Sequence, residues 1–490
     1  MKTNRLFLLG AGLLTLLVTG CTNSYVPDSS STPSPTPVDS DESVIESSVP
    51  IQKSELEMIM EKYDKAGAVY EYDGEECTIG ITHWDSAGTE VERSILNAML
   101  KGFTARYPTI HVNVTILGDY EDNYGNNIAT DHVTDVYMVP DGAFTAWAKF
   151  NKLVNLTPYV NSSDLIDESK IFSSVMTRYQ YDTKNLTAGK GSQLCLPKDI
   201  GPIAMYYNKD ILDAAGVDYP RTDRPMTIDE AKTFWAALLK KDKNGNITRY
   251  PTAGIGPEGL VWSAGGDFLN AKRNAFPTDA ASINGLKQGY QFLQDAYCTD
   301  SIMPPRDWTL GSSSEALFSM QKVATCIGGR HLVTSFNNLD FNWGVAYVPS
   351  FEVYPGKNSY SGSVGYGIST TSTHQMAAWK LIEYIASREG QEILSATGFQ
   401  IPVYQDLAMD PDVIAREKSI NHLDEASYSV FVESAKTQPY GLWQYRGSKQ
   451  WKELTYDTFS ADLLADDPAD RITVDQFLEK VKSKIGQYLN

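Results

Sequence analysis

Between residues 77 and 139 the chain changes hydrophobic period twice, and that rhythm narrows the available folds more than any other feature. Residues 77–82 (CTIGIT) alternate as a strand does. Residues 92–107 then carry Ile95, Met99, Leu100 and Phe103 at helical spacing and stop before Pro108. Ile110–Leu117 returns to period two, and residues 135–139 form a short apolar run. Strand, helix and strand in succession predict an α/β fold with an open, mostly parallel sheet flanked by helices. The rhythm recurs downstream. Strands are expected at residues 203–207, 323–327 and 343–348, and an amphipathic helix at 376–387. Thr227 followed by Glu230 reads as a capping box opening a helix to residue 239. From Ala408 onward the pattern is mostly helical. A chain of 490 residues has room for two to four domains at roughly 150 residues each.

The N-terminus points to export. Lys2 and Arg5 precede an apolar run over residues 6–18, short of the roughly 20 residues that span a bilayer. The run ends Val18-Thr19-Gly20-Cys21, which looks like a bacterial lipobox. Residues 1–20 are then a signal peptide, and Cys21 carries the lipid as the mature N-terminus. Residues 21–65 hold a Ser/Thr/Pro-rich run (SSSTPSPTP, residues 29–37) that cannot bury a core, so they are read as a tether. About 30 such residues reach on the order of 90 Å at polyproline rise. Residues 54–66 look briefly helical, as a stalk helix or as the first packed element.

Charge and motif absences narrow the function. The formal charge is −19, and −21 once Lys2 and Arg5 are removed. Nucleic-acid phosphate would be repelled, so no nucleic-acid partner is expected. The six His show no metal spacing, and neither a GxSxG elbow nor a GxxxxGK[ST] loop occurs. No metal, cofactor or catalytic residue is therefore expected. Gly254-Ile255-Gly256-Pro257-Glu258-Gly259 matches GxGxxG, with Asp279 twenty residues on. A Pro and a Glu stand where phosphate would approach, which argues against a dinucleotide. From Asp242, the Gly of DKNGN falls fourth, where a calcium loop needs it sixth, so a hairpin turn is expected. Cys77, Cys195, Cys298 and Cys326 leave Cys77–Cys195 and Cys298–Cys326 bridges open, and equally four free thiols.

Several blocks then line up in order. Leu196-Pro197-Lys198-Asp199, followed by Tyr206-Tyr207-Asn208-Lys209-Asp210-Ile211-Leu212 and Gly216, resembles the LPxD…YYNKDLxxxAG block of bacterial extracellular solute-binding proteins of the sugar-binding type. Residues 225–230 resemble that family's helix start, with Ile228 for the usual Trp. Residues 315–324 resemble its FxxGKVAM block, with Met320-Gln321 for a more typical Asn-Gly. Val348-Pro349, Gly362-Ser363 and residues 377–391 match further blocks, so the resemblance spans roughly residues 75–460.

The resemblance implies a two-lobed periplasmic-binding-protein-like fold, with a hinge of two to three crossing segments and ligand held between the lobes. Crossings are expected near residues 201–204, 344–348 and 398–402. Lobe one is then 66–200 plus 349–398, and lobe two 204–344 plus 402–490. The implied role is a lipoprotein that captures a carbohydrate, an oligosaccharide, and delivers it to the permease subunits of an ABC importer. It would act as a monomer on the outer face of a Gram-positive cell membrane. A secreted glycoside hydrolase and a sensor lipoprotein presenting ligand to a membrane receptor are the alternatives.

A sugar offers one C–H face to aromatic rings and an edge of hydroxyls to Asp, Asn, Arg and Trp N–H. Loops at strand carboxyl ends should supply these groups. Trp84 and Asp85 follow the first strand, Asp141 follows residues 135–139, and Asp199 lies beside the hinge. Glu258 and Trp262 precede Gly265-Gly266. Arg330 and His331 follow residues 323–327, Gly362 and Ser363 occupy the family's double-glycine position, and Tyr440 and Trp443 lie in the C-terminal region. Many relatives carry an aromatic where Arg330 stands, which implies a charged or strongly hydroxylated ligand here.

Overall fold

The computed structural model describes residues 53–84, 90–118, 120–309, 311–351, 359–437, 441, 462–465 and 467–488, all within the unit Ser40–Asn490. Cys21, the Ser/Thr/Pro-rich run, Asp85, Tyr440 and Trp443 lie outside the described residues.

The strands in chain order are β1 Cys77–Trp84, β2 Ile110–Leu117, β3 Val136–Pro140, β4 Gln180–Asp182, β5 Thr187–Ala188, β6 Ser192–Gln193, β7 Leu196–Pro197, β8 Gly201–Asn208, β9 Lys240–Lys241, β10 Ile247–Ala253, β11 Val323–Gly329, β12 Trp343–Ala346, β13 Ser361–Gly362 and β14 Val364–Ile368. Two main sheets organise them. The first has the order β2-β1-β3-β14-β7, and the second β12-β8-β11-β10-β9, with β13 also on β8. The short strands β5-β4-β6 form a third.

β1 and β2 run parallel from Cys77↔Ile110 to Trp84↔Leu117. A parallel pair needs a crossover, which the helix Glu90–Arg106 supplies while burying Ile95, Met99 and Phe103. Every residue of the inner strand β3 is buried, as a strand covered on both faces requires. Each sheet also contains one long strand running against its neighbours: β14 beside β3, and β8 between β11 and β12. β8 is buried on both sides. Ala204 and Tyr206 join one hydrophobic cluster, while Met205 and Tyr207 join the other.

The lobes are joined where the chain leaves one sheet for the other. It passes from β7 to β8 across residues 198–200, and it returns from β12 to β14. The returning segment lies antiparallel on the outgoing one, with Gly362↔Gly201 and Ser361↔Pro202. Ile401 bridges to Ile200 beside them. Around residues 398–406 the chain touches both sides: Gly398 O accepts from Arg330 Nη2 at the end of β11. Phe172 N–H donates to Val403 O, Ile171 bridges Tyr404, and Arg388 pairs with Asp406. The helix Glu425–Thr437 then packs on β8 and β12.

The expected tether is shorter than residues 21–65. The helix Lys53–Lys65 is packed, with Ile59 and Tyr63 buried. Lys62 Nζ sits 2.9 Å from Glu392, Tyr63 donates to the same carboxylate at 2.8 Å, and Arg416 Nε donates to Glu55 at 2.8 Å. Elsewhere the local readings hold. Both capping-box bonds of Thr227 and Glu230 form, and Asp242 closes the β9–β10 hairpin by accepting from the Asn244 and Asn246 amides. Cys77, Cys195 and Cys326 carry free thiols, so neither considered disulfide forms.

Candidate functional site

The parallel strands β10 and β11 lie side by side in the second lobe, with Ala253 opposite Cys326. Their carboxyl ends open into residues 254–260 and 328–331. These loops wall a cavity of about 810 Å³, whose remaining wall includes Gly201, Ile203, Val348, Tyr360 and Gly362 at the crossing segments. Side chains at strand carboxyl ends are where open α/β sheets take ligands.

The local sequence explains the loop after β10. Gly254 has φ 86°, and a Cβ there would lie 2.6 Å from Ile327 O, so only glycine lets the two strand ends approach this closely. Pro257 then opens the helix Pro257–Ser263 at its first position. A Cβ at Gly256 would collide with the Glu258 carboxyl, so that glycine makes room for the acid. The GxGxxG spacing thus serves a turn and a buried carboxylate. Asp279 caps the helix Ala280–Cys298 by accepting from Ser282 N–H at 2.8 Å, and is not a ribose ligand.

Three of the expected site residues reach the cavity wall: Glu258, His331 and Gly362. Glu258 is 4% exposed, and its Oε1 has no hydrogen-bond partner among the described residues. Burial pushes its carboxyl from 4.5 up to about 7, against a smaller opposing effect of its own backbone N–H. His331 is exposed at the edge of the same wall. Ser313, Ser314 and Glu315 add polar groups, and Tyr360 adds a ring.

Asp141, Asp199 and Ser363 are instead drawn into the bonding that fixes the crossing segments. Asp141 pairs with the buried Arg178 guanidinium at 2.8 Å, and Arg178 also donates to Ser361 O at 2.8 Å and to its Oγ at 2.9 Å. Ser363 Oγ donates to Asp199 O at 2.7 Å. Asp199 accepts from Val364 N–H at 2.8 Å and from Gln400 Nε2 at 2.5 Å. Lys198 Nζ lies 2.8 Å from Glu92 and 3.5 Å from Asp199. Burial and the charge of Glu92 push Asp199 up against Lys198. Glu92, penalised by burial too, is pulled down by Lys198.

Arg330 is also diverted. Its Nη2 donates to both Glu417 oxygens and to Gly398 O, and its guanidinium lies 5.5 Å over the Phe431 ring. Trp84 ends β1 half-buried against the hydrophobic cluster that holds Ile79 and Ile81, and it is not among the residues lining the cavity. Trp262 is fully buried in the second-lobe core, edge-on to Phe268 and Tyr360. A Cβ on Gly266 would sit 2.8 Å from Gly285 Cα, so the glycine pair lets backbone meet backbone beside the helix that carries Trp262. Tyr360, which Trp262 touches edge-on, is one of the wall aromatics that sequence reading missed, with Trp235, Phe292 and Tyr297. Tyr360 falls between Pro349 and Gly362, in a stretch with no strong period. No group of His, Cys, Asp and Glu able to hold a metal occurs among the described residues.

A family model described as bacterial extracellular solute-binding protein matches residues 98–420. The chain is 24% identical over 358 residues to a maltooligosaccharide ABC transporter solute-binding lipoprotein of Streptococcus pneumoniae, covering 68% of this chain and 77% of that protein. Its structure is similar to that of an ABC substrate-binding protein from Listeria monocytogenes in complex with cycloalternan, with a TM-score of 0.66, 18% identity, and 84% and 98% of the two chains covered. The sugar-binding protein MalE from Xanthomonas citri also has a TM-score of 0.66, at 19% identity, covering 84% of this chain and 97% of that one. At such identities the structural likeness establishes the fold, two α/β lobes of the periplasmic-binding-protein type.

Proposed function

This chain belongs to the bacterial extracellular solute-binding proteins, and from that membership we propose that it captures an oligosaccharide between its lobes and delivers it to an ABC importer. The observation that carries this reading is the cavity itself, walled by second-lobe strand ends and by the paired crossing segments. A ligand there touches the joint between lobes, so it binds the open and closed arrangements unequally and shifts their populations. The similarity to a maltooligosaccharide lipoprotein supports the carbohydrate class.

The protein performs no chemistry on its ligand in this reading. It works as a monomer held to the outer face of a Gram-positive membrane through Cys21, with lobes at 66–200 plus 349–398 and 204–344 plus the C-terminal region. One observation favours the hydrolase alternative. Glu258, raised to about 7, has the character of a general acid, and Glu315 stands on the same wall. Melting curves and small-angle scattering over a saccharide panel separate the two. A captured sugar compacts the protein and stabilises it by about 2.7 kcal/mol at one hundred times Kd. Steady release of cleaved product would place the chain among hydrolases.

A further inference from the structure

The charge of the cavity wall bears on which saccharides enter it. Among the described residues that line the cavity, the carboxylates are Glu258 and Glu315, the imidazole is His331, and none is Lys or Arg. The buried cations nearest in sequence to the wall are each ion-paired, Arg330 through Nη2 with Glu417 and Lys198 with Glu92, while Arg330 Nε and Nη1 make no hydrogen bond among the described residues. Glu258 is more than nine-tenths buried, lines the cavity, and keeps one oxygen without a partner. A buried acceptor left unmet is costly, and a ligand that supplies the missing donor recovers that cost on binding. Above about pH 7, where Glu258 is ionised, a ligand that brings a second anion meets repulsion at low dielectric.

We infer that Glu258 sets the charge class of the bound saccharide: a hydroxyl or amine of the ligand donates to its free oxygen, and carboxylated or phosphorylated sugars are refused. This rests on the reading of the chain as a carbohydrate binder. Glu315 adds a second negative group on the same wall.

The test is a glycan array holding neutral, amino and acidic oligosaccharides, probed at pH 8 with the mature chain and with its Glu258→Gln variant. The wild-type protein is expected to retain neutral or amine-bearing glycans. Glu258→Gln is expected to weaken those at least tenfold and to shift relative preference toward acidic glycans by a similar factor. Ligand-free melting of the variant is measured alongside, so that a structural loss is not mistaken for a changed preference. A tightest wild-type ligand that is a uronate, a sialoside or a sugar phosphate overturns the inference without need of any variant. So does a folded Glu258→Gln whose affinities stay within twofold of the parent. An array with no retained glycan of any class overturns the carbohydrate reading and this inference together.

Discussion

Arg330 Nη2 lies 2.7 Å from both oxygens of Glu417, and each side chain is only 2% exposed. The pair joins the end of a second-lobe strand to the helix Pro411–Asn421, whose adjacent Arg416 approaches Glu55 and Glu392. Arg330→Met would leave Glu417 buried with only the Asn421 amide and no cation beside it, at an expected cost of about 3–5 kcal/mol. Adding Glu417→Leu is expected to restore most of the loss. Urea denaturation of the two variants checks this, and saccharide affinity per folded molecule should not change. A large affinity loss in Arg330→Met with unaltered stability would return Arg330 to the site.

Trp262 and Tyr360 are in edge contact, 6.4 Å between ring centroids, yet only Tyr360 lines the cavity. Trp262→Ala is expected to cost about 3–5 kcal/mol of stability, as core aromatic truncations do. Tyr360→Ala should cost far less stability and weaken saccharide binding tenfold or more, since a ring against a sugar face supplies much of the desolvated contact. Melting temperature and calorimetric affinity of both variants decide it. Equal affinity losses would show that the two rings act as one unit.

Glu258 makes stability depend on pH with a definite sign. Its pKa in the folded state, about 7, lies above the ordinary 4.5, so the folded state holds the extra proton between those values. Stability from this group is full below 4.5 and is lost as pH rises through about 7. The whole displacement corresponds to about 3 kcal/mol. Glu258→Gln should therefore match the parent at pH 4 and exceed it by roughly that amount at pH 8 in ligand-free denaturation. An equal difference at both pH values would show that the carboxyl is not held neutral by burial.

Cys21→Ala should release the protein from membranes, because acyl chains contribute about 0.8 kcal/mol per buried CH₂. Fractionation of cells expressing each form is the measurement. Unchanged membrane retention of the variant would remove the lipobox from the account.

Much of the fold was readable because its signals are local. Ile79 and Ile81, the apolar spacing of Ile95, Met99 and Phe103, and the Thr227–Glu230 capping box each lie within one element. The site was less readable because the residues that decide it are far apart in sequence. Asp141, Asp199 and Glu258 look alike as acids near strand ends. Asp141 is engaged by an arginine 37 residues on, and Asp199 by a glutamine 201 residues on, while Glu258 keeps a free oxygen. Arg330 meets its carboxylate 87 residues away. Trp262 was misplaced for a related reason. Gly265-Gly266 reads as a loop, and only the distant Gly285 shows that Gly266 serves close helix packing.

Gly201 and Gly362 are at once the paired rungs of the crossing segments and part of the cavity wall. An occupant rests on the axle of the molecule and works as a splint across it. On the proposed reading, escape of that occupant is coupled to swinging of the joint, so residence time should follow how often the joint opens rather than how tightly either lobe grips alone. A transporter that pried the lobes apart would need no access to the ligand. Torque on the joint would unload it.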